Sequence, residues 1–298
     1  METYYAHPMD VLRKFNPQLT EASLDQDDLI GGPGDREQVL ARLEGVESDF
    51  EALTGNPQRM VRVGEPTRPE TWEVHGASLY RHQGGTKIWL DEGHVAPIDP
   101  DEGDAVHLRT GRDTWRDITD EAKRWDVNSR KGYIRVYSRV RHRVWRNAIK
   151  DEALRITYRH GAPGGRRGEP GETRTTAETS VGDSTVQVGD ETMLPRRGVV
   201  KLGDEYVRVS SRGEGSVDVA RGVRGTTEKQ HDEGAVAHYC EVSIREAVAA
   251  KTALELLSYA DWINELVDAD GMRTSDKREI WEQEWEKTLS KFSEVRSY

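Results

Sequence analysis

Leu154-Arg-Ile-Thr-Tyr-Arg-His-Gly161 and Glu241-Val-Ser-Ile-Arg-Glu-Ala-Val-Ala-Ala250 are the two stretches whose relation decides the fold. The first alternates apolar and polar residues and closes on glycine, the pattern of a half-buried strand followed by a turn. The second contains Ser243-Ile-Arg-Glu246, a capping box in which hydroxyl and carboxylate would satisfy the free amides of a helix start. Between them lie about seventy residues rich in Gly, Thr and Val, which read as an inserted β-module. Both ends then belong to one helical core, and Gly161 and Val242 are expected to lie close in space.

Residues 1–34 hold few apolar side chains and end in Gly31-Gly-Pro-Gly34, so they are expected to form an arm or a short helix docked on something else. Val39, Leu43, Val46, Phe50 and Leu53 then repeat at spacings of a single helix face, which assigns a core helix to 35–58, closed by Gly55 and Pro57. Through 59–161 the period changes to two. Short runs such as Lys87-Ile-Trp-Leu90, Val106-His-Leu108, Tyr133-Ile-Arg-Val-Tyr137 and Leu154-Arg-Ile-Thr-Tyr158 predict an antiparallel β subdomain, because the connections are too short for helical crossovers. Residues 162–241 comprise a Gly- and Pro-rich linker and the all-β module, with Gly203-Asp204 and Gly213-Glu-Gly215 as tight turns. The segment 242–298 carries an alanine-lined stripe, Ala247, Ala250, Leu254, Leu257 and Ala260. A second apolar face follows at Trp281, Trp285, Leu289 and Phe292, and the two predict a helical hairpin. The expected class is therefore α+β, a helical core with an antiparallel β subdomain and an inserted all-β module.

Lys plus Arg number 43 against 54 Asp plus Glu, a net charge of −11, so the surface as a whole should repel nucleic acid. Arg outnumbers Lys about three to one, and this Lys-poor, acidic profile fits a protein kept soluble in high salt. Cys240 stands alone, which excludes an intramolecular disulfide and any cysteine-based zinc spacing. The start Met1-Glu-Thr-Tyr-Tyr-Ala-His-Pro8 has no basic segment leading into an apolar run, so no secretion signal is expected, and no apolar stretch is long enough to span a bilayer.

Candidate chemistry is sparse. Asp268, Asp270, Asp276 and Glu279 fall at calcium-loop positions, but Arg273 occupies the place where that loop needs glycine, and acidic helix capping explains them equally. Asp99, Asp101 and Asp104 form an acidic run that could coordinate a cation, although Pro100 and Gly103 mark it first as a solvated turn. No nucleophile elbow, phosphate loop or metal-binding histidine pair is present, so neither an enzyme nor a cofactor is expected. Arg139-Val-Arg-His-Arg-Val-Trp-Arg146 is a basic, aromatic-bearing cluster, read first as a strand that pairs with acids and only second as a contact for phosphate backbone.

The order of Trp115-Arg-Asp-Ile-Thr119, Tyr133-Ile-Arg-Val136, Trp145, Leu154–Gly161 and Val242-Ser-Ile-Arg-Glu-Ala-Val-Ala-Ala250 resembles the head-to-tail adaptor, or connector, proteins of tailed viruses. The likeness covers roughly 35–161 and 242–290, and the module is the departure from it. That block is similar to small β-modules of phage neck and tail proteins, in which Arg221, Thr226 and His231 would be turn-locking residues. The resemblance implies a virion protein of the neck, usually a ring of twelve copies. It would bind the portal protein and a neck or tail-completion protein, and let genomic DNA pass without specific contact and with no membrane partner. It places Ala247, Ala250, Leu254, Trp281, Trp285, Phe292 and Tyr298 at subunit interfaces or in portal docking. Together with the salt-adapted composition it suggests a haloarchaeal virus. The competing expectation is a β-rich binding or adhesion module on a helical stalk, recognising glycan or a cell surface.

Overall fold

The structure, a computed structural model, describes residues 3–15, 17–19, 21, 35–55, 57–63, 70–72, 86–90, 92–111, 114–122, 124–128, 132–136, 154–161, 171–259 and 274–293. The chain is mixed α+β, with antiparallel sheets and separate helices. The helices are α1 (Pro8–Phe15), α2 (Asp35–Thr54), α3 (Thr119–Ala122), α4 (Val242–Tyr259) and α5 (Thr274–Phe292). Two compact units divide the chain: Met60–Ala162 is one, and Met1–Arg59 with Pro163–Tyr298 is the other. None of the described helices is long and apolar enough to cross a membrane.

The contiguous unit contains strands β1 (Val61–Val63), β2 (Glu70–Trp72), β3 (Thr86–Trp89), β4 (Ala105–Arg109), β5 (Trp115–Asp117), β6 (Asp126–Asn128), β7 (Tyr133–Val136) and β8 (Leu154–His160). The long strand β8 is the hub: it pairs antiparallel with β1, β2 and β4, and β4 continues to β5. Strand β7 lies between β3 and β6 in a second sheet. Val106, Leu108, Leu154, Ile156 and Tyr158 supply one buried face, which packs with Ile88, Ile118, Trp125 and Ile134 into a single core. The opposite face carries Arg155, His107 and Arg109, with the Arg155 guanidinium 4.0 Å from the Trp115 ring centroid.

In the discontinuous unit, strands β9 (Glu172–Arg174), β10 (Thr185–Gln187), β11 (Gly198–Leu202), β12 (Glu205–Gly213), β13 (Ser216–Ala220) and β14 (Val236–His238) make one sheet in the order β10-β13-β12-β11-β14-β9. Leu202 faces Glu205 across the two-residue turn Gly203-Asp204, where Gly203 adopts φ 53° and a Cβ would meet the His231 ring nitrogen at 3.2 Å. Inward valines of β10 to β13 with Leu194 and Leu202 form the core of this sheet. Glu172–Arg174, placed by its sequence at the edge of a linker, is a strand because β14 supplies the hydrogen-bonding partner, not because its own residues alternate.

Helices α2, α4 and α5 form the second core of this unit, uniting Val39, Leu43, Val46 and Phe50 with Ile244, Ala247, Ala250, Trp281 and Trp285. Helices α4 and α5 run antiparallel, since the Thr288 hydroxyl bonds to the Ser243 carbonyl and Lys291 reaches Glu241, just before the start of α4. Helix α4 is buried on several faces rather than along a narrow stripe: Val248, Ala249 and Ala253 are enclosed as completely as Ala247 and Ala250. Neighbours α1, α2 and α5 surround it, and small side chains permit that approach. Its start also departs from the expected capping box. The Glu241 carbonyl accepts from the Ile244 and Arg245 amides, the Ser243 hydroxyl bonds to the Glu241 side chain, and Glu246 turns away to Arg224 and Lys14.

Candidate functional site

Most of residues 3–15 are buried: Tyr5, Ala6, Met9, Val11 and Leu12 supply apolar contact, and the polar Thr3, His7 and Asp10 are buried with them because they meet partners, several from distant parts of the chain. Local chemistry starts the arm. Pro8 occupies the first helical position of α1, the Asp10 carboxylate reaches back to the His7 amide at 3.1 Å, and His7 Nδ1 accepts from the Met9 amide at 3.1 Å. Ahead of the helix the backbone bends at Tyr4 and Tyr5 outside any regular element, and its amides need acceptors. Glu47 of α2 provides them: its carboxylate accepts from Tyr4, Tyr5 and Ala6 at 2.9, 2.8 and 3.1 Å. The Tyr5 hydroxyl donates to Glu51 at 2.7 Å and accepts from the Gln58 amide at 2.8 Å.

The sheet forms the other side of this seat. Lys201 Nζ donates to the Thr3 hydroxyl at 2.9 Å, and the buried Tyr206 hydroxyl donates to Asp10. Arg224 sits at φ 60°, a left-handed backbone that side chains rarely adopt. It reaches Asp10 at 2.8 Å and Glu246 of α4 at 3.0 Å. Lys14 closes the arm by pairing with Glu246 and with Glu284 of α5, each at 3.1 Å.

Burial sets the protonation of the seat. Burial outweighs Lys201 and the three amides and raises the Glu47 carboxyl above its ordinary value. Burial, helped by Lys201, pushes His7 down to about 4. His238, against Lys201 and Arg59, falls to about 3 for the same reason. The thiol of Cys240 is pushed up by burial, which makes it a poor nucleophile.

A second buried constellation locks the sheet. Burial tends to raise the Glu205 carboxyl, but His231 at 3.0 Å, Arg221 at 2.7 Å and the amides of Lys229 and Gly222 hold it down at about 2. Thr226 accepts from the Tyr206 amide and donates to the Val223 carbonyl. Arg221 and His231 thus act on the fold of the sheet through Glu205, and Thr226 acts through the adjoining Tyr206 amide.

Ala247, Ala250, Trp281 and Trp285 are enclosed in the helical core, and Leu254 and Phe292 are partly buried against it. The Asp99 side chain accepts from the Asp101 amide at 3.2 Å, and Asp104 accepts from the Asp99 amide at 2.9 Å and from Arg159 at 3.2 Å. Among the described residues no group of three or more His, Cys, Asp or Glu is placed to hold a metal ion. Asp268, Asp270, Tyr298 and the cluster 139–146 lie outside the described residues. Asp10, Glu47 and Glu205 were not singled out from sequence. The Pro8-Met-Asp10 start of a helix was a readable signal for the first, whereas the partners of the other two come from separate segments.

Large apolar side chains exposed on the helices are Leu53 (58%), Val242 (52%) and Ile280 (51%). Compared with protein-family models the chain matches none, and a search of curated proteins finds no similar sequence.

Proposed function

We propose that this chain is a structural, non-enzymatic head-to-tail adaptor of a tailed virus, acting as one subunit of a ring that joins portal to neck and surrounds the path of the genome. The observation that carries this reading is the shared core of α2, α4 and α5, in which helices from 35–54, 242–259 and 274–292 pack together although the contiguous β unit intervenes in sequence. That is the element order on which the resemblance rests. A ring needs a heterologous surface that closes by rotation, and Leu53, Val242 and Ile280 offer apolar contact for it from the outside of the helices. An acidic chain lets DNA slide without gripping its phosphates. The salt-adapted composition favours a haloarchaeal virus as the source.

Negative-stain images and light scattering of the purified chain, alone and mixed with portal-bearing particles in high salt, test the reading. Rings with a central hole are expected; a strict monomer that never binds such particles overturns it. The adhesion reading draws support from the separate core of the β9–β14 sheet. Glycan-array binding by the full chain without ring formation would favour it.

A further inference from the structure

We infer that the N-terminal arm, residues 3–15, is an acid-releasable latch: His7 and His238, both seated as neutral rings near the Lys201 ammonium, keep it docked at neutral pH and drive it out when they take up protons. The inference is independent of the adaptor reading, because it rests on the seat alone.

The two histidines hold the arm from opposite partners. His7 belongs to the arm and uses Nδ1 as an acceptor for the Met9 amide, so a proton on Nδ1 would turn the cap of α1 into a donor facing a donor. His238 belongs to β14, lies 6.4 Å from the Tyr5 ring, and has no hydrogen-bond partner on either ring nitrogen. A proton there would be buried and unpaired. Lys201 lies directly across the strand register from His238 and ties down Thr3, so its charge opposes protonation of both rings while the arm is docked.

The charged and titratable groups facing each ring decide the direction. Around His7 stand Lys201, Asp10, Glu21, Asp204 and the Tyr206 ring. The three acids favour its protonation, but burial and Lys201 dominate. Around His238 stand the Lys201 and Arg59 cations and the Tyr5 ring, and both cations oppose its protonation. Both rings are therefore depressed in the docked state, which binds fewer protons than the released state. Release is favoured as pH falls from the ordinary histidine value toward about 4 and about 3. In that window each histidine multiplies the release equilibrium about tenfold per pH unit. Glu47 acts the other way, since its raised carboxyl takes up a proton more readily with the arm docked. One opposing group against two leaves acid release as the net direction. Release would uncover Tyr5, Ala6, Met9, Val11 and Leu12, all now buried, together with their seat.

Hydrogen exchange of the full chain, read by mass spectrometry at about pH 7.5 and about pH 5 and corrected for intrinsic rates, tests this. The arm is expected to lose at least about tenfold more protection than α4 on acidification. His7→Asn keeps an acceptor for the Met9 amide without titrating, and His238→Phe removes the second ring; together they should abolish most of that loss. Equal loss in the arm and α4, or arm protection independent of pH, overturns the latch in the wild-type chain alone. Release of the arm at the same pH in the folded double variant overturns it as well.

Discussion

Asp10 and Arg224, 214 positions apart in sequence, meet at 2.8 Å, and Arg224 reaches on to Glu246. Arm, sheet and helix α4 are thereby joined through one guanidinium. Asp10→Ala would leave the buried Tyr206 hydroxyl without its acceptor and the Arg224 guanidinium with Glu246 alone, at a cost of about 3 kcal/mol. Urea titration of the variant and of Arg224→Ala should give losses that do not add, and full additivity would show the pair uncoupled.

Glu205 makes the stability of the sheet depend on acid. Its carboxyl is depressed to about 2, so its contribution is fully present above the ordinary carboxylate value of 4.5 and is lost as pH falls toward 2. Glu205→Gln should cost about 3 kcal/mol at neutral pH and flatten the acid limb of a Tm-against-pH curve. An unchanged acid limb would assign that limb to other carboxylates.

Gly203→Ala strains a φ of 53° and sets a Cβ 3.2 Å from the His231 ring that supports Glu205. A loss of about 1–2 kcal/mol is expected by calorimetry. Gly182→Ala, at φ 90° with open space around it, isolates the backbone part of that loss.

Ala250 and Ile280 separate the interior of the helical core from its surface. Ala250→Leu should lower stability by about 1–3 kcal/mol, because the residue is fully enclosed in the helical core. Ile280→Glu, on a half-exposed side chain, should leave Tm nearly unchanged and, on the proposed adaptor reading, reduce ring formation in light scattering. Rings of undiminished population would place the subunit contact elsewhere.

What the sequence made legible follows from distance along the chain. The face Val39, Leu43, Val46, Phe50 is a local periodicity, and the same four residues are buried in the core. The Gly203-Asp204 turn is equally local, and its strands pair in the register that turn requires. The arm was harder to read because burial of Asp10, His7 and Tyr5 depends on Arg224, Tyr206 and Glu47, none of which lies near them in sequence. Ser243 and Glu246 matched a local capping pattern, but Arg224 and Lys14 compete for the Glu246 carboxylate. Of the residues expected at interfaces, Ala247, Ala250, Trp281 and Trp285 serve the interior, because an apolar stripe looks the same whichever chain covers it.

The Glu47 seat also sets an order of events during synthesis. Residues 60–162 form their unit from contiguous chain and can fold as soon as they emerge. The described part of the first 59 residues cannot: the groups that bury it, among them Lys201, Tyr206, Arg224 and α4, are made much later. At ribosomal speeds the arm and α2 wait roughly 10–40 seconds for these partners. For that interval Val39, Leu43 and Phe50 are an apolar surface without a cover, and the nascent chain is at its most vulnerable to aggregation before the last helices arrive.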